Sequence, residues 1–76
     1  MPPPDSKKSV EDARLLMQWF AYEHLPEALQ TVSRPFGQLA QQMCDTLPAN
    51  PELVAGLRKL LEAKDCAVRA QLFKWD

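Results

Sequence analysis

Pro48-Ala-Asn-Pro51 separates two long segments of helical apolar rhythm, and that arrangement leaves few folds open. Upstream, Leu25, Leu29, Val32, Phe36, Leu39, Met43 and Leu47 recur at steps of three and four, the pattern of a helix facing a partner helix. Downstream, Leu57, Leu61, Lys64, Val68 and Leu72 fall on one side of a second helix in the same way. Asn50 is placed to cap that helix, with Pro51 and Glu52 in its first turn, and the pattern runs to about Lys74. So short a turn makes the two long helices antiparallel neighbours. No strand-like alternation occurs anywhere in the chain.

A further helix precedes the hairpin. Met1-Pro-Pro-Pro-Asp-Ser-Lys-Lys reads as a flexible leader over residues 1–8, because three prolines supply no backbone donors and the rest is polar. Ser9 is the expected cap of a short first helix, with Asp12 as the acidic partner near its positive end. Its expected apolar face comprises Leu15, Leu16, Trp19, Phe20 and Tyr22. That helix should end near Glu23, since Pro26 disfavours helical geometry at Leu25 and suits the first turn of the next helix. Pro35 and Gly37 predict a kink near Arg34–Gly37. The fold class is therefore all-α: an antiparallel hairpin of two long helices plus a short N-terminal helix, one domain over residues 9–76.

At 76 residues the chain has a marginal core of its own, since a domain of this size buries only about 60% of its unfolded surface. Small scaffolds gain help from disulfides, a metal or self-association. Two cysteines and one histidine do not make a four-ligand zinc site within one chain. With the turn centred near residue 49, Cys44 lies level with about residue 55 and Cys66 with about residue 33. That leaves them roughly 16 Å apart at a helical rise of 1.5 Å, beyond the ~7 Å reach of a disulfide. Self-association remains. Ala63, Cys66, Ala67 and Ala70 form a narrow stripe that a second helix can approach closely, so a homo-oligomer is expected.

Nine basic and ten acidic residues leave a formal net charge of −1, which gives no general attraction to duplex nucleic acid. The charge is uneven: residues 1–50 hold four basic and six acidic side chains, residues 51–74 five basic and three acidic. No apolar run approaches the ~20 residues of a membrane span, and no signal core follows the N-terminus. The expected location is the cytoplasm, with both thiols reduced.

No Gly-rich phosphate loop, Cys–His pair or metal-binding histidine repeat appears, and no cofactor is expected. Glu62 and Asp65 read as solvated partners of neighbouring cations rather than as an acid–base pair. Trp19 and Phe20 read as core residues, while Tyr22 sits where its ring can project over the junction of the first two helices and stack on a base. His24 reads as a loop or cap residue. Arg34 lies level with Asp65, and Lys64 with Pro35. Arg34 is thus either a surface ion-pair partner of Asp65 or, beside a kink, a partner for phosphate. Lys64 and Arg69 are secondary electrostatic candidates; Lys7 and Lys8 are solvated.

These residues resemble a known family. Phe20-Ala-Tyr22, with His24 and Pro26 close behind, resembles the Phe-Thr-Tyr-His-x-Pro opening of a small phage hairpin domain. Gln38-Leu-Ala40 is similar to its Glu-Leu-Ala, and Leu57-Arg-Lys-Leu-Leu-Glu-Ala63 to its Leu-Thr-Lys-Leu-Glu-Glu-Ala. The likeness spans roughly residues 19–70, in order. Members of this family are sponges that counter the CBASS and Thoeris antiviral systems. The resemblance implies a helical protomer assembling through its long helices, commonly into a hexamer. It also implies that cyclic di- or trinucleotides are bound between protomers and sequestered uncleaved in the host cell cytoplasm, a non-enzymatic role.

Site residues follow from the same match. Tyr22 corresponds to the aromatic residue that stacks on a base, with His24 beside it. Ser33 falls at the family's phosphate-contacting basic position, and Arg34 is one residue on. Glu23 separates the tyrosine and histidine that adjoin in the family motif, and Pro35 and Phe36 replace small residues. The reading from another class is a small helical structural or adaptor protein that binds a protein partner.

Overall fold

The computed structural model describes residues 4–73 and is all-helical over them. Helix α1 spans Pro4–Met17 and tightens into a 3-10 turn at Gln18–Phe20. Helix α2 spans Glu27–Thr46 and α3 spans Pro51–Leu72. The Asn50 side chain accepts from the Leu53 backbone N–H at 2.9 Å, and the Leu47 N–H closes the end of α2 on Met43 O at 2.9 Å. The hairpin break therefore lies where Pro48-Ala-Asn-Pro51 puts it. Residues 74–76, including the expected end at Lys74, lie outside the described residues.

The first helix differs from expectation at both ends, its 3-10 turn closing at Phe20 and Ala21 being extended rather than the helix running to Glu23. It begins at Pro4, so residues 4–8 are helical rather than a leader, while residues 1–3 lie outside the described residues. Proline at a helix start loses only an N–H that has no intrahelical partner there. Ser9 is thus an interior residue, 4% exposed, rather than a cap. The buried face runs through Ser9, Ala13 and Phe20, with Leu16 and Met17 packed alongside. Leu15 and Trp19, expected in the core, are 60% and 61% exposed. Small side chains at positions 9 and 13 let α1 lie close against α3, and that choice turns the Leu15–Trp19 stripe outward. α1 runs parallel to α3, with Ser9 beside Val54 and the Trp19 carbonyl reaching Lys64.

α2 carries two adjacent stripes and buries the smaller one. Ser33, Gly37 and Ala40 are its fully buried positions, whereas Leu39 and Leu47 of the leucine-rich stripe are 46% and 48% exposed. Phe36 and Met43 flank the core formed by Ala13, Phe20, Ala40, Leu53 and Leu57. α2 is one continuous helix through Pro35. Pro35 is on the exposed side, where the Thr31 carbonyl it leaves without a donor can be met by water.

Both cysteines are free, Cys44 half-buried and Cys66 exposed. Burial first, and the neighbouring Asp45 carboxylate second, hold the Cys44 thiol above its usual value, so it stays protonated at neutral pH.

Ser33 has no solvent-facing surface, and its hydroxyl has no hydrogen-bond partner among the described residues. An unpaired buried hydroxyl is a cost, and alanine is the better helix former. Ser33→Ala is expected to leave stability unchanged or raise it by up to about 1 kcal/mol in urea unfolding. A loss of that size would mean that the hydroxyl has a partner.

Candidate functional site

The segment from Trp19 to Pro26 is tied down on both sides. The Tyr22 carbonyl accepts from the Leu25 N–H at 3.0 Å, closing a turn over residues 22–25. Gln30, from the first turns of α2, donates its side-chain amide to the Leu25 carbonyl at 2.7 Å and to the Glu23 carbonyl at 3.2 Å. Pro26 precedes α2 as its cap residue, with no side-chain cap bond, and its carbonyl accepts from Leu29 and Gln30 N–H at 2.9 Å each. Gln30 thereby staples the turn to the helix it introduces.

Lys64 ties down the other side. Its ammonium donates to the Trp19 carbonyl, lies 5.9 Å from the Phe20 ring centroid, and is 3.7 Å from the Asp65 carboxylate. The side chain is only 12% exposed. A cation at the C-terminal end of α1 and its 3-10 turn meets the unsatisfied carbonyls that every helix leaves there. This placement gives Lys64 a structural task. Lys64→Met is expected to lower stability by about 1–2 kcal/mol, read as a lower urea midpoint. Lys64→Arg should restore part of it, and an unchanged midpoint in Lys64→Met would refute the cap.

Between these ties sits Tyr22, half-buried. A Cβ built at Gly37 would stand 3.1 Å from two Tyr22 ring carbons and 3.0 Å from the Phe20 carbonyl. The ring therefore rests on the α2 backbone where a glycine makes room. Arg34, one turn earlier on α2, holds its guanidinium carbon 5.6 Å from the Tyr22 ring centroid. Among the described residues the one ion pair is Lys64–Asp65, so the expected Arg34–Asp65 pairing does not form. The guanidinium makes no hydrogen bond or ion pair among the described residues, so its N–H groups are free for an anion.

Beside this pair opens a pocket of about 370 Å³. Met17, Phe20, Ala21 and Gly37 supply its apolar lining, and Tyr22, Glu23, Gln38 and Gln41 its polar groups. That volume lies at the lower end of small-molecule sites, ~300–1,000 Å³.

The sequence-derived candidates thus divide. Tyr22 and Arg34 come together, and His24 is exposed in the turn two residues from Tyr22. Ser33 is walled off in the core, because α2 turns its small stripe inward. Arg69 is exposed in a separate shallow depression with Cys66, Ala70 and Phe73, donating to the Cys66 sulfur at 3.3 Å. Gly37, Gln30, Gln38 and Gln41 were not among the site candidates legible in the sequence, although Gly37 and Gln38 entered it as a kink and a motif residue. Of these only Gly37 left a physical signal, since a mid-helix glycine costs about 1 kcal/mol and implies a packing reason.

No group of three or more potential metal ligands occurs among the described residues, and no helix there is long and apolar enough to cross a membrane. No family model, curated protein or solved structure matches the chain.

Proposed function

We propose that this protein binds cyclic oligonucleotide second messengers at protomer interfaces and sequesters them uncleaved, countering antiphage signalling in the host cytoplasm. The observation that carries the reading is Tyr22, which lines a half-open pocket and has the Arg34 guanidinium 5.6 Å from its ring centroid. A base stacked on an aromatic ring gains about 1–3 kcal/mol, and a guanidinium is the preferred partner for the adjoining phosphate. The motif resemblance supports Tyr22 independently of the geometry, whereas its phosphate-contacting position falls on Ser33, one residue before Arg34.

The pocket's 370 Å³ suits one base with its sugar rather than a whole cyclic dinucleotide. The second base then needs another surface, and a second protomer is the natural source. Ala63, Cys66 and Ala70 lie exposed along α3, so the small-residue stripe is free for such a contact. A homo-oligomer, with a hexamer as the family precedent, follows from this reading.

Calorimetry against a panel of cyclic di- and trinucleotides tests it. Saturable heat from at least one ligand, with light scattering giving a multiple of the protomer mass, is the expected result. No heat from any of them at high micromolar concentration would sink the reading.

One observation favours the second reading, an oligomeric adaptor that binds protein. Leu15 of α1 and Trp19 of the following 3-10 turn are 60% and 61% exposed. Retained partner capture by a variant lacking Tyr22 and Arg34, with no nucleotide binding by wild type, would select it.

A further inference from the structure

The geometry points to Glu23 and Gln38 as readers of the bound base, and to guanine as the base they select. This inference rests on the nucleotide reading above and adds to it a chemical identity. Glu23 lines the pocket next to Tyr22, and its backbone is fixed by Gln30 and by the turn over residues 22–25. Its carboxylate has no hydrogen bond or ion pair among the described residues. Gln38 lines the same pocket from α2, and its side-chain amide is likewise unpaired among the described residues. Gln41, the third polar group from this side, already donates to Asp45 at 2.9 Å.

An ionised carboxylate only accepts hydrogen bonds, through two oxygens side by side. Guanine presents two adjacent donors, N1–H and the N2 amino group, followed by the O6 acceptor. The carboxylate meets both donors, and the Gln38 NH2 is the complementary donor for O6. Adenine places one amino donor beside the bare N1 lone pair. One carboxylate oxygen of the exposed Glu23 then faces a lone pair, a repulsive contact that guanine does not make. A site built to hydrogen-bond one edge rejects an analogue that lacks the match far more strongly than an apolar slot does.

Cyclic di-GMP and cyclic di-AMP titrated into the full chain by calorimetry decide the matter. Wild type is expected to bind the guanine ligand at least about tenfold more tightly. Glu23→Gln, folded by circular dichroism, is expected to bring the two affinities within about threefold by weakening the guanine ligand. Equal affinities in wild type, a preference for adenine, or a guanine preference unchanged in Glu23→Gln would overturn the inference while leaving the binding reading intact. Absence of heat from both ligands and from the wider panel would instead remove the binding reading, and this inference with it.

Discussion

Phe20→Ala is expected to unfold most of the protein at room temperature, the largest effect of any single truncation here. Phe20 is 2% exposed and is one of the largest fully buried side chains, beside Leu57. It belongs to the core cluster with Ala13 of α1, Ala40 of α2 and Leu53 and Leu57 of α3. Truncating a buried phenylalanine costs about 3–5 kcal/mol, and a core of this size supplies no more than about 3–5 kcal/mol of net stability. The substitution also removes the ring beneath the Lys64 ammonium, 5.9 Å away, and loosens the carbonyl that this ammonium caps. Far-ultraviolet circular dichroism with urea titration reads the outcome. Leu15→Ala, at a 60% exposed position, serves as the control and should shift stability by no more than about 0.5 kcal/mol. A cooperative, near-wild-type transition in Phe20→Ala would mean that the core lies elsewhere.

Gly37→Leu is expected to abolish nucleotide binding with a much smaller effect on folding. Even a Cβ at this position stands 3.1 Å from the Tyr22 ring and 3.0 Å from the Phe20 carbonyl. The carbonyl belongs to the backbone and has little room to yield; the ring is an intermediate-exposure side chain in a turn. A leucine therefore drives the ring off α2, at an overpacking cost of about 1–3 kcal/mol. Replacing a mid-helix glycine returns up to about 1 kcal/mol of helix propensity, so the net change in stability is modest. Binding has no such compensation. The ring is displaced from Arg34 and the pocket is filled, and loss of one base stack alone corresponds to about 1–3 kcal/mol, or roughly ten- to a hundredfold in affinity. Wild-type affinity in Gly37→Leu would show that the ligand sits away from this face.

What the sequence disclosed was mostly local. Asn50 before Pro51 fixes the start of α3, and the run of alternating three- and four-residue steps marks α2, because capping and periodicity act within a turn or two. The facing of α2 was not legible. Its two stripes lie side by side, and only the close approach of Phe20 and α3 decides that Ser33, Gly37 and Ala40 go inside while Leu39 and Leu47 remain half exposed. The same competition turned Leu15 and Trp19 outward. Lys64 shows the limit most clearly. Its place within an apolar stripe was visible, but its partner is a backbone carbonyl 45 residues away in sequence, which no spacing rule predicts. Tyr22 and Arg34 were each legible as candidates. Their meeting at 5.6 Å depended on Gly37, a residue without chemistry of its own.

Under the proposed function, Tyr22 and Arg34 hold the cyclic nucleotide. Titration of the best-bound cyclic nucleotide into wild type, Tyr22→Ala and Arg34→Ala, each checked by light scattering, tests it most directly. An unchanged oligomer mass in all three and a loss of roughly tenfold or more in affinity for each variant are expected. Wild-type affinity in both variants would contradict the proposal.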